Sequence, residues 1–128
     1  MWLRSAAALW LAVDFLGQKP LVALQEFLAG EVLPHAEAEE RTLYRAAASQ
    51  ARGGQLVTTM VAEHRRLAEL AERLHVGADA AAAATTAEWI ATLFAGHVAK
   101  ENDLLLPALI DSGVDLAPLL AGLHGAVA

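Results

Sequence analysis

The chain has 128 residues, enough for one hydrophobic core and too few for a second independent domain. Apolar residues make up 56% of it and aromatics only 5%, with alanine and leucine supplying most of the rest, which argues against a sandwich and for packed helices. A net charge of −6 leaves no basic footprint for nucleic acid, and the lack of cysteine rules out disulfides, thiolate nucleophiles and metal ligation through sulfur.

Arg4 followed by the apolar run Ala6 to Val13 resembles the start of a signal peptide. Asp14 ends the run at once, no small-x-small cleavage site follows, and the stretch is too short to span a bilayer. The expectation is a cytoplasmic protein with no membrane partner. The first predicted helix covers Trp2 to Leu16, apolar nearly all round, and stops at Gly17. The second runs from Pro20 to Ser49, with a kink where Gly30 and Pro34 fall close together.

Gly53 and Gly54 turn the chain into a third helix, Gln55 to His75, which closes at Gly77. Its core stripe reads Val57, Met60, Val61, His64, Leu67, Ala68, Ala71 and Leu74. A fourth helix starts at an Asp79 cap, passes through the alanine tract Ala80 to Ala84 and reaches Leu106 or Ile110, with Pro107 bending or ending it. Ile90, Phe94, His97, Glu101, Leu104 and Ala108 share one face of it. A last short helix, Asp115 to Val127, follows Gly113. Short connections favour antiparallel neighbours, so the predicted fold is all-α: one up-and-down four-helix bundle over 1–128, with a short first helix and a short C-terminal tail helix.

The second and fourth helices echo each other. His35, Glu39 and Leu43 in one match His97, Glu101 and Leu105 in the other. Four residues advance a helix by about 400°, so histidine and glutamate of each HxxxE pair point the same way, one turn apart. Both pairs lie on core stripes, and His64 lies on the stripe of the helix between them. Buried and unpaired, each such group would cost about 1–3 kcal/mol, out of a net stability of roughly 5–15 kcal/mol. One HxxxE pair is usually a surface hydrogen bond; two copies on core stripes, in phase with a third histidine, point to a metal site. The donor set suits iron or manganese, with zinc also compatible, whereas magnesium and calcium want more oxygen.

Other polar residues are read more plainly. His75 serves a helix C-terminus, and His124 is taken as a partly exposed terminal residue over a haem or supporting ligand. Glu40, Glu63 and Asn102 either orient the candidate ligands or face water. Tyr44 is read as a packing residue in preference to a hydrogen-bonding one.

The segments VLPHAEAEERTLY, MVAEHRRLAEL and HVAKENDLLLPAL resemble the hemerythrin-like, or HHE cation-binding, family. The resemblance implies a four-helix bundle with a non-haem di-iron centre, oxo- or hydroxo-bridged. His35, His64 and His97 would supply imidazoles, and Glu39 and Glu101 the bridging carboxylates. It implies a small diatomic ligand, dioxygen or nitric oxide, or a role in redox sensing or iron handling. Two departures stand out. Family members carry a further histidine on the first helix, whereas no histidine precedes His35; and Ala68 stands where oxygen-carrying members have another histidine, as in the sensor or cation-binding branch. The expectation is a truncated first helix and one metal position a ligand short, with water, Asp14 or a second subunit as alternatives to fill it. The groove so uncovered would favour a homodimer. Two rival functions remain open: a ferroxidase or peroxide-type enzyme, and a metal-free helical interaction module.

Overall fold

A computed structural model describes residues 18–50, 53–74 and 79–127, with side chains described over 21–50, 53–74 and 79–123. The predicted helix Trp2 to Leu16, Asp14 within it and His75 lie outside the described residues, as does the side chain of His124. Among the described residues every regular element is helical. The first rod, 18–48, is built from α1 (Gln18–Phe27), a π turn (Leu28–Val32), α2 (Leu33–Arg41) and α3 (Leu43–Ala48). The second is α4 (Gly54–Arg73). The third, 80–111, comprises α5 (Ala80–Lys100), a π turn (Glu101–Leu105) and α6 (Leu106–Asp111), and α7 (Leu116–Val127) closes the chain.

The irregularities have local causes. Proline lacks an N–H and its ring collides with the carbonyl four residues back in a regular helix. Each π turn is followed at once by a Leu-Pro pair, Leu33-Pro34 and Leu106-Pro107, and in each case the leucine N–H reaches back five residues, to Leu28 O and Glu101 O. The predicted kink near Gly30 and Pro34 is therefore a widened turn, and Pro107 bends its rod without ending it. A second break falls at Thr42, whose ψ of −86° leaves the helical range while its hydroxyl donates to the Ala38 carbonyl at 2.7 Å. Such back-bonding bends helices.

The remaining ends follow sequence signals. Asp79 accepts the Ala81 N–H at 3.2 Å and caps α5. At the end of α6, Gly113 takes φ +78°, its N–H donates to Ile110 O, and Val114 N–H donates to Leu109 O. That pair of bonds is the Schellman closure, for which glycine is favoured because a side chain disfavours positive φ.

Rod 18–48 and α4 are antiparallel: the Gln25 amide donates to the Leu74 carbonyl at one end, and Tyr44 meets His64 at the other. The apolar interior forms two layers. One gathers Leu24, Leu28, Val32, Leu67, Leu70, Leu74, Ile90 and Phe94; the other gathers Leu43, Tyr44, Met60, Leu105, Leu109 and Leu123. The C-terminal helix, expected as a tail, packs on α2 and sends Leu123 into the second layer.

One expected face is corrected. Leu104 is 53% exposed and Ala108 only half-buried, whereas Leu105 and Leu109 are fully buried. The π turn at 101–105 takes up one extra residue, so the buried stripe resumes one position later than a continuous helix would place it.

No described helix is long and apolar enough to cross a membrane. The turn into α4 depends on close approach: a Cβ on Gly53 would lie 1.9 Å from the Ala47 carbonyl oxygen. Gly53→Ala is expected to destabilise the fold by about 1–3 kcal/mol, read as a lower urea midpoint at unchanged slope.

Candidate metal centre

Between the two apolar layers lies a single polar one. The first rod contributes His35 and Glu39 one turn apart, α4 contributes His64, and the third rod contributes His97 with Glu101, where the π turn begins. All five are buried, Glu39 and His97 completely so. Their ligand atoms form two groups, Glu39 with His64 and His97, and His35 with Glu39 and Glu101. Within each group the atoms lie within 4.8 Å of one another, and Glu39 belongs to both. Glu101 also approaches the first group, its Oε2 3.5 Å from His97 Nε2, and Glu39 Oε1 stands 3.6 Å from His64 Nε2. The five residues expected from the sequence are thus brought together.

The outer faces of two imidazoles are held by carboxylates. His97 Nδ1 lies 3.1 Å from Glu63 Oε1, and the other Glu63 oxygen accepts from Lys100 Nζ at 2.5 Å. His64 Nδ1 lies 3.4 Å from Glu40 Oε2. A neutral imidazole that donates its Nδ1 hydrogen to a carboxylate turns the lone pair of Nε2 the other way, here toward the centre. Of the three residues read as possible orienting groups, Glu40 and Glu63 take that place; Asn102 is exposed.

Tyr44 is the residue that sequence reasoning missed. Its ring is buried as expected, but its hydroxyl lies 3.2 Å from His64 Nε2 and 3.1 Å from His97 Nε2, inside the polar layer. Five residues past Glu39 on an unbroken helix, Tyr44 would point about 140° away from that carboxylate. The break at Thr42 and the length of the phenol bring its oxygen in. A signal was present in the sequence only as the chain's single tyrosine one turn below an HxxxE pair.

Burial shapes the protonation states. His64 is pulled down to about 3, first by desolvation and then by His97, against the opposing pull of Glu101. It is therefore a neutral donor at neutral pH. Burial pushes the Tyr44 phenol well above its ordinary range, reinforced by Glu39, Glu101, Glu40 and Glu63. Burial likewise raises Glu40, against the lowering effect of Arg65. Two buried carboxylates, Glu39 and Glu101, surrounded by neutral donors make a site to which a cation brings the missing positive charge.

The His64 shift has a measurable sign. Between about 6.5, the ordinary histidine value, and about 3, the unfolded chain binds a proton that the folded chain refuses. Stability of the metal-free protein should be intact above that window and decline as pH falls through it. Urea unfolding at pH 7.5 and pH 5 checks this; an equal or higher midpoint at pH 5 contradicts it.

Comparison with curated proteins and with solved structures returned no match. The sequence does match the family described as hemerythrin HHE cation binding domain, over residues 11–109, well over half the chain. That span includes both HxxxE pairs and His64, and the helical bundle with buried histidine and glutamate groups agrees with a cation-binding module. The chain belongs to the hemerythrin HHE cation-binding family.

Proposed function

We propose that this chain is a non-haem iron protein that holds two cations side by side in its polar layer and uses them to bind dioxygen or nitric oxide, or to register redox state. The observation that supports it most is the membership of Glu39 in two buried donor groups at once, as a carboxylate bridging two ions would require. The donor set fits. Every contributing atom is nitrogen or oxygen, the imidazole and carboxylate mix suits iron or manganese, and the layers above and below are apolar. Bound there, iron would supply a redox-active Lewis acid.

The rest is the work of the chain's own residues. Glu39 and Glu101 supply the negative charge, and His64 and His97 present Nε2 inward because Glu40 and Glu63 hold their other faces. Lys100 on Glu63 tempers the charge behind His97. The flanking leucine, isoleucine and phenylalanine layers keep bulk water and larger molecules from the centre, which favours a small, weakly polar ligand.

Anaerobic ferrous titration of metal-free protein, followed by air and elemental analysis, tests the reading. Roughly one to two irons per chain are expected, with ferric charge-transfer absorption appearing on oxidation. His64→Ala and His97→Ala should lower the count; unchanged binding would remove both from the assignment. Glu63→Gln should weaken metal binding by about ten-fold or more while leaving helical content intact, because it loosens an imidazole without removing it. Oxidation that stops after a stoichiometric reaction fits a binding or sensing role, and continued ferrous turnover would make the protein a ferroxidase. A folded chain that takes up no metal would leave a helical interaction module.

A further inference from the structure

The Tyr44 hydroxyl is in an unusual position. A buried tyrosine ordinarily ends on one hydrogen-bond partner. Here the oxygen contacts two imidazole nitrogens, His64 Nε2 at 3.2 Å and His97 Nε2 at 3.1 Å, and those nitrogens are themselves only 3.0 Å apart. The phenol ring stacks on the His64 ring with centroids 5.1 Å apart and planes 17° from parallel, which fixes the direction of the hydroxyl.

Counting hydrogens sharpens the point. With both Nδ1 hydrogens directed at Glu40 and Glu63, neutral His64 and His97 each present a lone pair at Nε2. Three lone-pair atoms then meet in one triangle, and the phenol proton can serve only one of its sides. A cation offers all three a common acceptor: a point about 2.1 Å from each corner, an ordinary metal–nitrogen or metal–oxygen distance, sits just off the plane of the triangle. Glu39, grouped with the same two histidines, stands on its border.

We propose that Tyr44 is a direct ligand of the cation held by Glu39, His64 and His97, bound through its phenolate oxygen. This rests on the metal-binding reading above and adds to it a donor of a different chemical type. Binding exchanges the phenolic O–H for a metal–oxygen bond, the proton leaves to solvent, and no electron is transferred. A hard anionic oxygen selects a trivalent cation, so the position occupied by Tyr44 should favour ferric over ferrous iron. The other donor group, His35 with Glu39 and Glu101, has one imidazole and no phenol among the described residues, so the two positions are chemically unequal.

Because Tyr44 is the only tyrosine in the chain, any tyrosinate signal is its own. The full chain is loaded with ferrous iron without oxygen, oxidised in air, counted for iron, and examined by visible absorption and resonance Raman. The expected result is a phenolate-to-ferric band whose excitation enhances tyrosine ring vibrations. Tyr44→Phe should keep its helical circular dichroism and lose both the band and the ring modes. Wild-type protein that binds iron without ring-mode enhancement overturns the assignment while leaving the metal centre standing, and so does a band that survives in Tyr44→Phe. Failure to take up iron at all overturns the metal-binding reading and this ligand with it. Should the variant not fold, the wild-type Raman spectrum decides alone.

Discussion

Two carboxylates with almost no contact with water set the terms for the whole interior. Glu39 and Glu101 lie in a core otherwise made of leucine, alanine and a few aromatics, where an uncompensated charge costs several kcal/mol. The fold answers by confining polarity to one layer, about one helical turn deep, and filling it with groups that complement each other. Imidazoles face the carboxylates, further carboxylates stand behind the imidazoles, and Lys100 stands behind one of those. Charge alternates outward until it reaches solvent. The apolar layers on either side then pack as an ordinary bundle would, because the polar problem has been solved between them.

Helix irregularity is concentrated where that layer meets its neighbours. Both rods that carry an HxxxE pair leave regular α geometry just after the glutamate, one through the break at Thr42, the other through the π turn that Glu101 opens. The first rod has a π turn ahead of its histidine as well. Each departure re-aims the residues beyond it, so that Tyr44 points inward and Leu105 replaces Leu104 in the core. Widened turns are common at functional sites for this reason: they change which face a side chain occupies without shortening the helix.

Much of this was legible in the amino-acid order. The HxxxE spacing forces its two side chains to one face whatever the tertiary structure, and the neighbouring leucines mark that face as core. Asp79 and Gly113 announced helix ends that follow from capping chemistry alone. What escaped was everything that depends on a helix ceasing to be regular. A 3.6-residue period carries the stripe from Glu101 to Leu104 and Ala108, and it throws Tyr44 to the far side of its rod, because periodicity counts every residue as one equal step. The docking of the last helix also escaped. Its leucines were visible, but their partners, Leu43 and Leu109 among them, are remote in sequence and were already counted toward other faces.

The widened turn at 101–105 also means that the two halves of the chain match by position but not by face. His35 to Leu43 and His97 to Leu105 run in step residue for residue, yet beyond Leu105 the same numbering offset pairs an inward residue of one rod with an outward residue of the other. A lone deletion inside that loop of backbone would restore even pitch and roll the whole segment after it by roughly 100°, turning Leu104 inward and Leu109 out. Insertions and deletions at this point are therefore rotations of a rod, not changes in its length, and homologous sequences align by geometry only if a gap is allowed there.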